Sequence, residues 1–284
     1  MIASAPGKII IFGEHSVVYG RRALVSAIDL RCRVEVRRSK EFRISSELGT
    51  TGLDFKVHPY VSFAVERFRE IRDLQGAEIS IKTDIPIASG LGSSSAVTVA
   101  TLKALSEEFN ANLSDHEIFE LARRVEIDVQ GRGSGIDPFV STFGGSWIFP
   151  DRKKVDFALE LFVVKLWERA TKQMVEKVAN LRQRYPGIVD RIFDAIDAIT
   201  ANALEVGAER MDELIYMNQS LLRAIGVSSA EIDRVIADLE KKGFVVKITG
   251  AGGGGCVFGI FRGRKPENSF LVRTNAEGVR VENP

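Results

Sequence analysis

The 284-residue sequence is poor in cysteine, histidine and tryptophan, with two, three and two residues respectively. Cys32 and Cys256 cannot build a disulfide framework, and they lack the spacing of a metal site. His15, His58 and His116 are scattered, so a structural zinc centre is not expected. Long apolar runs are missing too. Segments such as 9–12 and 256–258 fall far short of the roughly 18 residues that cross a bilayer. The first is also too short for the apolar core of a signal peptide. A reducing, cytoplasmic setting is the default expectation. Neither sign of charge is in excess: 39 Lys+Arg against 38 Asp+Glu leaves +1. That balance argues against a dedicated nucleic-acid or anionic-membrane surface. Solenoid repeats and low-complexity tracts are absent as well.

What remains is an ordinary globular composition, 45% hydrophobic and 27% charged, with chain enough for roughly two domains. Residues 27–37 alternate: Ile28, Leu30, Cys32, Val34 and Val36 on one face, Asp29, Arg31, Arg33, Glu35 and Arg37 on the other. This predicts a half-buried strand with Cys32 in the core. Residues 77–83 alternate likewise, and 58–74 between them read as a helix. A helix is predicted over 94–110, followed by a second opened by Ser114 and Glu117 as a capping box. Residues 140–149 read as a strand with a turn or bulge at Gly144-Gly145. The polar segment 150–154 is the expected domain boundary, giving domains 1–150 and 151–284. Beyond it, a strand is predicted at 159–166 and helices at 171–184, 187–204, 209–225 and 229–241. Strands return at 244–248, 256–261 and 270–273. Both halves read as α+β.

Four segments carry chemistry. Pro86-Ile87-Ala88-Ser89-Gly90-Leu91-Gly92-Ser93-Ser94-Ser95-Ala96 follows a strand and opens a helix. Its glycines allow close backbone approach, and the helix start offers unpaired N–H groups and the positive end of a dipole. Those features suit a phosphate. No Gly-Lys-Ser/Thr closes it as a Walker A loop, and no Gly-x-Gly-x-x-Gly marks a dinucleotide site. A plain serine-capped helix after a glycine turn is the alternative. The second segment, Ala5-Pro6-Gly7-Lys8 then Gly13-Glu14-His15-Ser16-Val17-Val18-Tyr19-Gly20, crowds Lys8, Glu14 and His15 around a short apolar strand. The third holds Glu126 and Gly135-Ile136-Asp137-Pro138, either a site or a boundary carboxylate and a turn. The fourth is Lys247-Ile248-Thr249-Gly250-Ala251-Gly252-Gly253-Gly254-Gly255-Cys256, whose glycine run implies something approaching that backbone, or else a flexible hairpin loop.

Taken in order, these motifs resemble the GHMP kinase superfamily across residues 3 to about 261, and most of all its mevalonate kinases of compact archaeal type. Gly13 to Gly20, Asn218-Gln219 and Gly226-Val227-Ser228 carry the finer likeness. The resemblance implies a ribosomal-protein-S5-like N-terminal domain and a ferredoxin-like C-terminal domain. It implies transfer of the ATP γ-phosphoryl group to the 5-hydroxyl of mevalonate, with Mg²⁺. Residues 86–96 then match the ATP phosphate cradle, and Ser94 and Glu126 match the Mg²⁺ positions. Asp137 matches the catalytic base and Lys8 the lysine beside it. Glu14, His15, Thr171, Gly250 and Ala251 match substrate-side positions. The family pattern has small residues before a Ser-Thr-Lys helix start. Here Leu166-Trp167-Glu168-Arg169-Ala170-Thr171-Lys172 keeps Thr171 and Lys172 but is bulkier at Trp167 and Glu168.

Two other readings compete. A phosphomevalonate or sugar kinase on the same fold would need basic groups at the acceptor pocket, for which Arg132 and Arg169 are candidates. A catalytically silent binding protein predicts loss of Lys8, Glu126 or Asp137, and all three are present. The sequence leaves a homodimer open.

Overall fold

A computed structural model describes residues 1–168 and 171–283. The chain runs β1 (Ile2–Phe12), β2 (Ala23–Arg38), β3 (Arg43–Ser46), β4 (Gly49–Thr51), α1 (Pro59–Arg69), β5 (Ala77–Thr83), α2 (Ser93–Glu108), α3 (Asp115–Gln130) and α4 (Ile136–Phe143). It continues with β6 (Ser146–Phe149), β7 (Lys153–Val155), β8 (Glu160–Lys165), α5 (Thr171–Arg184), α6 (Pro186–Asn202), α7 (Met211–Ala224), α8 (Ala230–Lys241), β9 (Lys247–Thr249), β10 (Cys256–Ile260), β11 (Ser269–Arg273) and β12 (Arg280–Glu282).

Two sheets organise the molecule. The first has the order β12-β1-β2-β5-β3-β4, with β6 also on β2 and β7 on β6. The second has the order β11-β8-β10-β9. Every pairing is antiparallel except β3 with β5. β1 is buried along most of its length because helix α2 covers it. One apolar core joins the sheets, with Ile9, Ile11 and Phe12 of β1 in the same cluster as Ile215 and Phe258. That continuity leaves few places for a charge near the junction unless it is paired.

Several expectations need correction. Residues 140–143 are helical, the end of α4, and only 146–149 form a strand. Pro138 fits the first turn of a helix, where no backbone donor is required, and the short helix is apolar enough to read as a buried strand. The helix expected over 58–74 ends at Arg69, and the strand expected at 244–248 starts only at Lys247. Arg31, assigned to the solvent face, is buried. Its guanidinium donates to Ser4 Oγ, Ser4 O, Glu277 O and Gly278 O, so the returning C-terminal segment covers it. The polar segment at 150–154 begins as the turn of the β6–β7 hairpin. The C-terminal strand β12 then returns to β1 in the first sheet.

The capping box is formed as expected. Ser114 Oγ accepts from Glu117 N–H at 3.3 Å, and the Glu117 carboxylate accepts from Ser114 N–H at 2.8 Å. Ser114→Ala removes one half of this reciprocal cap, at an exposed point far from any cleft. Urea unfolding is expected to show a loss of about 1 kcal/mol. An unchanged midpoint would mean that α3 does not need its cap.

Candidate active site

The glycine–serine segment sits where β5 hands over to α2. Ala88, Gly90 and Gly92 have positive φ of 57°, 86° and 79°. Gly92 is the residue before the helix, and a Cβ there would lie 2.9 Å from Lys8 Cγ. A side chain is thus excluded on two counts. The loop is tied to β1 by Lys8 N–H, which donates to Leu91 O at 2.8 Å. The first helical bond runs from Ala96 N–H to Gly92 O, at 2.9 Å. The N–H groups of Ser93, Ser94 and Ser95 therefore stand ahead of the ladder, open to an anion.

This loop forms one end of a cleft of about 820 Å³. Ile87, Ala88, Ser89, Gly90, Gly92, Ser93 and Ser94 line it, together with Thr171 at the start of α5. Leu91 and Ala96 pack into the core, and Ser95 is buried. The far wall is built from Ser46, Leu48, His58 and Tyr60. Sequence patterns flagged none of these four for a site. His58 could only read as a helix start, although its ring in fact bridges Ser46 Oγ at 3.0 Å and Thr51 Oγ1 at 2.8 Å. Cys32 also reaches the cleft wall. Burial pushes its thiol up to about 12, so it behaves as a small apolar residue.

Beneath Gly92 lies the charged cluster. Lys8, 2% exposed, places its ammonium 3.2 Å from Asp137 Oδ1, and Asp137 is in the first turn of α4. Glu126, on α3, accepts from Gly135 N–H at 3.1 Å. A Cβ on Gly133 would fall 2.1 Å from Glu126 Oε2, so this connection must be glycine to close over the carboxylate. Burial, and secondarily the Asp137 charge, push the Glu126 carboxyl up to about 7. Ser94 lies on the cleft side of the first turn of α2. An oxygen donor set with unrelieved negative charge suits a hard divalent cation. Among the described residues no group of three or more His, Cys, Asp or Glu side chains is placed to hold a metal. A cation here would take its other ligands from phosphate and water.

Glu14 and His15 close β1. Both are buried, and His15 has φ of 59°, a strained conformation for a non-glycine residue. Burial lowers the His15 pKa. Its Nε2 lies 2.9 Å from Ala251 O, and a carbonyl only accepts, so Nε2 carries the proton. The glycine-rich turn at 250–255 is thereby joined to the first sheet. It is also braced from the other side: Gly253 N–H donates to Val227 O, Gly255 N–H to Trp167 O, and the Trp167 indole N–H to Gly253 O. The bulk at Trp167 that departs from the family pattern thus has a structural use. Arg169 lies outside the described residues.

Its motif alone gives Lys247 no role, and the structure gives it a partner. It forms a fully buried ion pair with Glu14. Burial raises the Glu14 carboxyl and lowers the Lys247 ammonium, each opposed by the partner. A lysine set between Val246 and Ile248 on a short strand was the available signal.

A phosphate-accepting helix start beside a paired lysine and aspartate defines a phosphotransferase-type site. Known proteins agree with this class. The family described as GHMP kinases N terminal domain matches residues 59–145, and GHMP kinases C terminal matches 192–273. A mevalonate kinase of Archaeoglobus fulgidus is 63% identical over 283 residues, 99% of this chain and 100% of that one. A mevalonate kinase of Pyrococcus horikoshii is 36% identical, covering 99% and 98% respectively. The solved Methanococcus jannaschii mevalonate kinase superposes with TM-score 0.83 at 29% identity, covering 100% of this chain and 98% of that chain. The chain belongs to the GHMP kinase superfamily and, within it, to the mevalonate kinase family.

Glu126 allows a test by pH. Its carboxyl holds a proton in the folded state up to about 7, against 4.5 for the ordinary group. Between those values the folded state binds more protons, so this residue's contribution to stability falls as pH rises and is lost above about 7. Glu126→Gln keeps the acceptor for Gly135 and removes the titration. The melting temperature of the variant relative to wild type should rise between pH 5 and pH 8 in metal-free buffer. A constant difference would refute the elevated pKa.

Proposed function

We propose that the protein is an ATP:mevalonate phosphotransferase, carrying the γ-phosphoryl group to the 5-hydroxyl of mevalonate. The observation that carries this reading is the Lys8–Asp137 pair at 3.2 Å, lying directly under the serine-rich helix start. Its particular acceptor rests on the 63% identity with the archaeal mevalonate kinase. We propose the division into 1–150 and 151–284 as the functional one, with a cytoplasmic enzyme working in the cleft between the two parts. Among the described residues no helix is long and apolar enough to cross a membrane.

Phosphoryl transfer demands positioning and charge neutralisation more than covalent help from the protein. The N–H groups of Ser93, Ser94 and Ser95 cradle the phosphates, aided by the dipole of α2. Ser94 and Glu126 would hold Mg²⁺, which would supply charge neutralisation at the phosphate oxygens. Asp137 accepts the hydrogen bond of the attacking hydroxyl and takes its proton as the new O–P bond forms and the bond from the γ-phosphorus to the bridging oxygen breaks, releasing ADP. The Lys8 ammonium fixes the Asp137 carboxylate toward the acceptor and adds positive charge where negative charge gathers. His15 donates to Ala251 O, so it holds the glycine-rich turn at the acceptor side. Thr171, on the cleft wall, contributes a hydroxyl toward the bound substrates. Gly250 and Ala251 supply backbone close to the acceptor.

ATP consumption measured with Mg²⁺ against mevalonate, phosphomevalonate, homoserine and galactose tests the reading. Mevalonate is expected to give the highest kcat/KM. A higher value for any other acceptor would overturn the assignment.

A further inference from the structure

Lys247 has no place in the mechanism above, yet it is fully buried at the junction of the two sheets. Its ammonium has three protons and finds three acceptors. These are Ile11 O at 3.0 Å, Ile248 O at 2.8 Å and the Glu14 carboxylate. The rings of Phe12 and Phe258 flank it at 5.6 and 5.0 Å. Glu14 is equally enclosed, and its Oε2 has no hydrogen-bond partner among the described residues. Stability alone is a poor reason for such a pair. Taking both charges out of water is costly, and well-packed apolar residues often do as well or better.

The pair's position suggests another use. Three links join the end of β1 to the segment that enters the glycine-rich turn. Thr249 Oγ1 donates to Ile10 O at 3.0 Å and accepts from Ile10 N–H at 3.2 Å. Lys247 joins Ile11 and Glu14 to β9. His15 Nε2–H donates to Ala251 O at 2.9 Å. Lys247 is the charged link, and its partners Ile11 and Glu14 lie between Ile10 and His15 in the chain. β1 also carries Lys8, whose ammonium holds Asp137. The glycine-rich turn and the Lys8–Asp137 pair are thus referenced to one strand, through an ammonium whose donors are all used.

We infer that Lys247 is a positioning residue for phosphoryl transfer, acting through Glu14 and His15 to set the glycine-rich turn against the Lys8–Asp137 pair. This rests on the phosphotransfer reading given above. It predicts that Lys247 matters to the acceptor side of the reaction and little to nucleotide binding, which is assigned above to the glycine–serine loop lining the cleft.

Lys247→Met, Glu14→Gln and the double variant test it, with wild type assayed alongside. A misplaced acceptor site is expected to lower kcat/KM for mevalonate on the order of 10²-fold in Lys247→Met. The Kd for ATP, titrated without acceptor, should shift by less than about threefold. The double variant should be no slower than the poorer single variant, because the two side chains act as one unit. Lys247→Met strands a buried carboxylate and is the variant at risk of not folding. The double variant carries neither charge, so it keeps the test open. It should melt as a folded protein and bind ATP normally, yet turn over mevalonate slowly.

Wild-type turnover from folded variants with merely lowered melting temperatures would overturn the inference. So would losses that multiply in the double variant, or ATP affinity lost in parallel with turnover. Absence of mevalonate turnover in wild type would instead refute the phosphotransfer reading itself.

Discussion

A lysine ammonium inside a covered strand needs a counter-charge, and Lys8 obtains it from Asp137. The rest of the site follows from meeting that need. β1 is covered by α2, so Lys8 cannot swing to bulk water, and it is only 2% exposed. The carboxylate must come to it, and α4 is the element that brings it. Gly135, with φ of 70°, starts α4 at the angle that points Asp137 toward the strand, and its N–H also anchors Glu126. One turn of backbone therefore sets both carboxylates against one cation. Burial first, and the nearby Asp137 charge second, raise the pKa of Glu126.

β1 is the common reference for everything else. The phosphate loop is fixed to it at Lys8 N–H and through Gly92 packed on the Lys8 side chain. Just beyond its far end stand Glu14 and His15, which reach Lys247 and Ala251 of the second sheet and its glycine-rich turn. Even the C-terminal strand β12 returns to β1, through Ile2 to Ser4. A strand shared by the phosphate loop, the charged pair and the sheet junction couples their geometries. Displacement at one of these places is felt at the others, since a close-packed interior transmits strain.

Much of this was legible in sequence where local physics decides the outcome. The capping box at Ser114 and the glycine–serine helix start need only nearby residues, and both formed where expected. The alternation in β2 likewise reported real burial, with Ile28, Cys32, Val34 and Val36 all in the core. Reading failed where the deciding contact lies far along the chain. Arg31 looked solvent-facing because the cover over it comes from residues 277 and 278. Lys247 looked like one more charge because its carboxylate partner is 233 residues away. The segment 140–143 misled for another reason: a short helix buried on all sides leaves no periodicity to read. The wall of the cleft at Ser46, His58 and Tyr60 was invisible because these residues carry no pattern and converge only through the β3–β4 turn and the start of α1.

The account stands on Lys8 and Asp137 acting together on one proton. A double-mutant cycle on kcat, using Lys8→Met, Asp137→Asn and the pair, addresses that directly. Each single change is expected to slow turnover by about 10²–10⁴-fold, the usual worth of a general base. The double variant should be little slower than the worse single one, because either change alone already disables the transfer. Losses that simply multiply, or near-wild-type kcat in folded Asp137→Asn, would contradict the account.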